Sequence, residues 1–213
     1  MLLATDLDGT FLAGSPEQRR QLYNLIRHHP DIDLAFVTGR GLESVLPLLA
    51  DPAIPHPDYI ICDVGCTIVD GHSLQPLHSI QSEIEALWPG ELAVMSAVEG
   101  IQGLQRQEVP QERRCSFFCE PEAITAELQA RVSALNCDLL YSAGEYLDVL
   151  PKGVHKGFSL QRLMEHLQLQ PHEVLVAGDT LNDLSMLSLD IPGVCVGESE
   201  VGLLDATRRL AST

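Results

Sequence analysis

Two aspartates one residue apart, Asp6 and Asp8, follow the apolar run Leu2-Leu3-Ala4-Thr5 and lead into Gly9-Thr10. A carboxylate at a strand tip stands on rigid backbone while its oxygens face solvent or a metal ion. In open parallel α/β sheets, chemistry collects outside the carboxyl ends of the strands. Two acids at this spacing suit a nucleophile and a general acid/base. Asp and Gly are also ordinary turn formers, so a plain strand-to-turn junction would use the same residues. Three later stretches weigh against the plainer choice. Ile32 to Thr38 is a second apolar strand, ending in Thr38-Gly39-Arg40. Lys156-Gly157 opens a helical pattern, and the strand Val174 to Ala177 runs into Gly178-Asp179-Thr180-Leu181-Asn182-Asp183. Each cluster falls at a strand end or helix start, where free N–H groups and the helix dipole favour anions.

The elements that must position these residues follow from pattern. Ser15-Pro16-Glu17-Gln18 reads as an N-cap, a proline at the first helical position and a capping-box glutamine. The helix is expected to run to about His28 with Leu22, Leu25 and Ile26 inward. A helix over Leu42 to Leu49 follows, with Pro47 expected to shorten or kink it. A rigid loop from Asp51 to Pro57 precedes a strand from Tyr59 to Cys62. Strands alternating with helices give a parallel sheet with right-handed crossovers.

From about Gln75 to Leu150 the rhythm changes. Ser82 to Trp88 reads as helix, Ile101 to Glu108 and Arg114 to Cys119 as strands, and Glu122 to Leu135 as helix. Asp138 to Tyr141 and Glu145 to Leu150 form a hairpin around Ala143-Gly144. Helix-strand-strand repeated twice predicts a small antiparallel sheet with two helices on one face, inserted into the first unit. After a helix from Lys156 to about Leu167 the parallel pattern resumes: Val174 to Ala177, a helix, Val194 to Val196, a helix. The expected division is a core of residues 1–75 and 152–213 around an insert of residues 76–151.

The four clusters, in this order, resemble the motifs of the haloacid dehalogenase superfamily of phosphohydrolases: DxDGT, a strand-end Thr, a Lys, and GDxxND. The resemblance spans the whole chain. It implies an α/β fold, a Rossmann-like parallel-sheet core, with an inserted α+β (αββαββ) cap of the C2B type. About 30 residues between Asp8 and Thr38 accommodate one helix and one strand, so the cap falls after the second motif. Within the superfamily the chain is most similar to the sucrose-phosphate phosphatase branch. The matching stretches are Pro57-Asp58-Tyr59-Ile60-Ile61, Asp63-Val64-Gly65, Ser116-Phe117, Tyr141-Ser142 and Leu147 to Gly153. It also resembles the phosphatase portion of enzymes that make glucosylglycerol, where that portion is fused to a glycosyltransferase. Relatives continue past the strand at Val196-Gly197 to a further Gly-rich segment, so the chain reads as a trimmed domain and the expected front of a longer polypeptide.

Phosphate monoester hydrolysis needs up to roughly 10²¹-fold acceleration, whereas one acid/base pair supplies about 10² to 10⁴. A nucleophile, a metal and phosphate-oxygen ligands must therefore act together. The resemblance implies Asp6 as nucleophile and Asp8 as acid/base. It implies Mg²⁺ held by Asp6, the Asp8 carbonyl and Asp179, with Asp183 behind them. Thr38 and Gly39 would bind phosphate oxygens, with Arg40 and Asn182 lining the substrate site. Lys156 would neutralise the transferring group; Lys152 competes for that role, but Lys156 directly precedes Gly157 as the family motif requires. Arg114, Tyr141, Ser142 and Asp148 lie on cap strands that could face the pocket. The expected substrate is a phosphorylated sugar or glycoside of the sucrose-6-phosphate or glucosylglycerol-phosphate type. A sugar phosphomutase of the same superfamily and a non-catalytic regulatory domain fused to a glycosyltransferase are the alternatives; inorganic phosphate release separates them.

The formal charge is −17, from 30 acidic and 13 basic residues among 213. Such a surface repels phosphate backbones and argues against nucleic acid as partner. It would also repel an anionic substrate unless Lys156, Arg40 and a divalent ion offset it locally. No apolar run approaches the roughly 20 residues of a membrane span, and the chain enters a strand without a basic leader, so a cytoplasmic protein without a signal peptide is expected. The six cysteines, Cys62, Cys66, Cys115, Cys119, Cys137 and Cys195, include two C-x3-C spacings that invite a zinc site. Their apolar strand contexts favour reduced thiols packed as small hydrophobes. Among the histidines, His28, His29 and His155 read as surface residues.

Overall fold

A computed structural model describes residues 1–210. The larger sheet has six strands: β1 (Leu2–Thr5), β2 (Asp33–Val37), β3 (Tyr59–Cys62), β4 (Thr67–Asp70), β9 (Val174–Gly178) and β10 (Gly193–Cys195), in the order β10-β9-β1-β2-β3-β4. All pairings are parallel except β3 with β4. Side chains alternate across it with the period of two that a pleated strand imposes. Leu2, Ala4, Ala35, Val37, Ile61 and Ile68 enter one apolar cluster. Leu34, Phe36, Ile60, Cys62 and Val69 enter the other.

Helices α3 (His78–Leu87), α6 (Lys156–Leu167) and α7 (Leu184–Leu187) cover the first face, through Ile80, Ile84, Leu160, Leu163 and Met186. Helices α1 (Pro16–His28) and α2 (Leu42–Leu49) cover the second, through Tyr23, Ile26 and Val45. The capping box at Ser15 forms as expected, with reciprocal bonds between Ser15 and Gln18. The inward stripe of α1 differs from expectation. Leu22 and Leu25 are exposed, and Tyr23 takes their place. Its ring lies 4.8 Å from that of Phe11 and its hydroxyl donates to the Phe11 carbonyl at 2.9 Å. An amphipathic aromatic that fills volume and satisfies its hydroxyl displaces the leucines from the core. Pro47 is accommodated inside α2, which continues to Leu49.

The second sheet holds β5 (Leu104–Arg106), β6 (Cys115–Cys119), β7 (Cys137–Ser142) and β8 (Tyr146–Pro151), antiparallel in the order β5-β6-β8-β7. Helices α4 (Glu91–Val98) and α5 (Ala126–Ala134) pack on one face of it. Val94, Val98, Leu128 and Val132 meet Cys115, Phe117, Cys119, Leu147 and Val149 there. The helix expected at Ser82 to Trp88 is α3, which packs on the larger sheet; the insert's first helix is α4. We therefore propose that the insert begins near Trp88, which packs in its cluster, rather than at residue 76. The strand expected over Ile101 to Glu108 shortens to β5. The helix expected from Glu122 splits into a 3-10 turn at Pro121–Ala123 and α5, which Thr125 caps. The chain closes with α8 (Val201–Leu210); residues 211–213 of the expected core segment lie outside the described residues. Five cysteines are buried and Cys195 is half-buried, all as free thiols. Burial pushes the Cys115 thiol up to about 12 and the Cys137 thiol up to about 11. No helix among the described residues is long and apolar enough to cross a membrane.

Candidate active site

Strands β9, β1 and β2 are neighbours and parallel, so their carboxyl ends open on one crevice. Thr5 is level with Ala177 and Phe36, which brings Asp6, Asp179 and Thr38 to the same edge. Leu7 and Phe11 anchor the turn after Asp6 in the core. Within that turn Gly9 sits at φ +81°, and a Cβ there would lie 2.0 Å from Asp179 Oδ2. Only glycine permits both the backbone conformation and the approach of Asp179.

Lys156 is the first residue of α6 and is fully buried. Its Nζ donates to Asp6 Oδ1 at 2.7 Å and to Asp183 Oδ1 at 2.6 Å. Burial alone would depress this ammonium, but Asp183 and Asp6 outweigh it and hold the pKa above the ordinary lysine range. Burial raises Asp6 to about 7 against the pull of Lys156, with Asp183 and Asp179 adding repulsion. Burial also raises Asp179, opposed by the hydrogen bond from Thr10 Oγ1 at 2.8 Å. Asp183 folds its loop around itself: Oδ2 accepts from the N–H of Asp179 at 2.9 Å and of Thr180 at 3.0 Å. One carboxylate oxygen each of Asp6, Asp179 and Asp183 lie within 4.8 Å of one another. Three hard oxygen donors so close suit an oxygen-seeking divalent cation such as Mg²⁺.

Asp6 and Thr38 form part of the floor of a cavity of about 420 Å³ that Asp8, Gly39, Arg40 and Asn182 also line. Asp8 and Arg40 form a bidentate pair, Nε to Oδ2 at 2.7 Å and Nη2 to Oδ1 at 2.5 Å. Asn182 Oδ1 is buried with no hydrogen-bond partner among the described residues. The insert supplies the opposite wall, from Arg114, Ser116, Ser142, Tyr146 and Asp148. Strand alternation selects these residues: Ser116 pairs with Asp148 across β6 and β8, while Phe117, Leu147 and Val149 turn to the apolar face. Arg114 joins both units, with Nε on Asp63 Oδ1 at 3.0 Å and Nη1 on Asp148 Oδ1 at 3.1 Å.

Of the predicted cap residues, Arg114, Ser142 and Asp148 line the cavity. Tyr141 does not: it packs against the insert's apolar cluster, and its hydroxyl bonds the Gly144 carbonyl. Its neighbour in register points the other way, so Ser142 and Tyr141 could not both face the pocket. Lys152 is exposed. His155 is half-buried rather than a surface residue, and its Nδ1 accepts from Phe158 N–H at 3.0 Å as the N-cap of α6. Thr10, Asp63, Ser116 and Tyr146 escaped the sequence reading as site residues. Thr10 was legible as part of DxDGT, but its bond to a residue 169 positions away was not.

An open crevice at adjacent strand ends, roofed by an inserted α+β unit, places the chain in the fold class of haloacid dehalogenase phosphatases. The sucrose-phosphatase of Synechocystis, solved with sucrose and phosphate, aligns with a TM-score of 0.84 at 24% identity, over 96% of this chain and 86% of that one. Residues 1–212 match the sucrose-6F-phosphate phosphohydrolase family, and the chain belongs to it. It is 62% identical over 210 residues to a glucosylglycerol-phosphate synthase of Pseudomonas anguilliseptica, covering 98% of this chain but only 28% of that protein. It is 34% identical over 209 residues to a mannosylfructose-phosphate phosphatase of Agrobacterium fabrum, covering 93% of this chain and 83% of that protein.

Proposed function

We propose that the chain is a Mg²⁺-dependent phosphatase that removes phosphate from a glycosyl phosphate through an aspartyl-phosphate. The observation that carries this reading is Lys156, a fully buried cation spanning Asp6 and Asp183 beneath the cavity floor. An Asp6 oxygen attacks phosphorus as the P–O bond to the sugar breaks. Asp8, protonated once it leaves its Arg40 partner, gives that proton to the departing sugar oxygen. Water then attacks the aspartyl-phosphate, Asp8 takes a proton from that water, and Asp6 is restored with release of inorganic phosphate. Thr38 Oγ1, the Gly39 N–H and Lys156 hold the phosphoryl oxygens and offset the charge that builds on them. Asp6, the Asp8 carbonyl and Asp179 would hold Mg²⁺, which neutralises phosphate charge when bound. Asp183, with one oxygen on Lys156 and the other on its own loop, orients rather than ligates.

For the leaving group we propose a neutral glycoside, with glucosylglycerol phosphate first among candidates. The cavity wall of hydroxyls and one arginine–carboxylate pair suits hydroxyl recognition, and the named relatives handle glycosyl phosphates. The small covered share of the synthase supports a chain that works joined to, or beside, a glycosyltransferase. The test is phosphate release, with and without Mg²⁺, from glucosylglycerol phosphate, sucrose-6F-phosphate and mannosylfructose phosphate. Asp6→Asn keeps an acceptor for Lys156 but is a poor nucleophile, so turnover should fall by about 10⁴-fold or more. Substantial release by that variant, or none by the wild type on any of the three, overturns the reading.

A further inference from the structure

Glu200 immediately precedes α8, and its backbone is fixed on both sides: its N–H donates to the Asp179 carbonyl at 2.8 Å and its carbonyl accepts from Leu204 at 3.0 Å. Its side chain reaches two separate units. Oε2 accepts from Leu181 N–H at 2.8 Å, and Oε1 accepts from Ala143 N–H at 3.2 Å. Leu181 lies in the turn that presents Thr180 and Asn182 to the cavity; Ala143 is the tip of the β7–β8 hairpin, beside Ser142 on the facing wall. Ala143 sits at φ +53°, a left-handed conformation that a residue with a Cβ keeps only when its surroundings hold it.

We propose that Glu200 is a positioning residue that fastens the hairpin tip to the Asp179–Asp183 turn, holding the insert down over a bound glycosyl phosphate. The proposal rests on the phosphatase reading for its effect on turnover, but not for the tie itself. The turn survives loss of Glu200, because Asp183 Oδ2 still holds the Asp179 and Thr180 N–H groups. The hairpin tip loses its bond to the turn. A substrate whose sugar needs both walls therefore suffers, and a small aryl phosphate does not.

The experiment compares wild type, Glu200→Ala and Glu200→Gln on glucosylglycerol phosphate and p-nitrophenyl phosphate, alongside amide exchange of residues 139–146. Glu200→Ala should raise KM for the glycosyl phosphate about tenfold, the weight of one charge-assisted hydrogen bond, and leave kcat and the aryl phosphate unchanged. Glu200→Gln keeps one acceptor and should recover part of the loss. Exchange at the hairpin tip should quicken in Glu200→Ala while β6 is unaffected. Equal losses on both substrates, no change in KM, or unaltered exchange overturns the proposal. If the wild type hydrolyses neither substrate, the phosphatase reading falls, and the exchange difference alone decides the tie.

Discussion

A lysine with no exposed surface is tolerable only because two carboxylates receive it, and each of those carboxylates is itself sheltered from water. Removing one member of such a cluster leaves uncompensated buried charge. Lys156→Met should therefore cost about 3–5 kcal/mol, read as a lower urea midpoint, as well as abolish phosphate release. A variant of wild-type stability would show that Asp6 and Asp183 do not depend on this cation. Thr10 acts more gently. Its hydroxyl holds Asp179 Oδ1 and leaves the other oxygen for a ligand. Losing a partner that orients a ligating group typically costs about 10- to 100-fold in metal affinity. Thr10→Val should raise the Mg²⁺ concentration for half-maximal phosphate release by that range while saturating activity largely returns. An unchanged Mg²⁺ dependence would remove Thr10 from the site.

Helix α6 shows how an element aims such a residue. Its start is set by His155, whose neutral imidazole accepts from Phe158 N–H, and by Gly157, where a Cβ would lie 2.2 Å from the Ser185 carbonyl. The close packing of α6 on α7 explains why glycine follows the lysine. Burial lowers the His155 pKa below 6.5, so the folded state binds fewer protons than the unfolded chain and stability rises with pH across this window. The cap is intact above about pH 6.5, and its contribution is lost as pH falls toward the lowered folded value. His155→Asn, a good N-cap at any pH, should be less sensitive to acid than the wild type. A constant wild-type-to-variant difference in urea midpoint from pH 5 to 8 would refute this.

The same elements show what sequence patterns convey. Strands written as short apolar runs and helices with marked caps were readable, as were the polar clusters at their ends, because local rules specify them. The four-residue β4 was not, since it depends on antiparallel pairing with β3. Nor was the exchange of Leu22 and Leu25 for Tyr23, which depends on Phe11 packing across the core. Asp63 is a further case: it follows a recognisable strand, yet its role as the core partner of Arg114 comes from a residue 51 positions later.

Across the molecule, charge sets the terms on which an anion enters. The net charge is −17, and every cation around the cavity is already engaged: Arg40 by Asp8, Arg114 by Asp63 and Asp148, Lys156 by Asp6 and Asp183. With Asp179 added, carboxylates outnumber cations two to one there, so the apoprotein opposes a phosphate at long range and at contact. A divalent ion held by Asp6, the Asp8 carbonyl and Asp179, as proposed, would correct the contact term. The long-range term remains, and it is screened over about 10 Å at 0.1 M salt. At fixed saturating Mg²⁺, kcat/KM for the glycosyl phosphate should therefore rise as monovalent salt increases from about 0.01 to 0.1 M, where the screening length falls from about 30 to 10 Å. A neutral salt series at constant pH checks this. If kcat/KM falls over that range, a local positive field steers the substrate despite the acidic surface, and the paired cations must open to meet it.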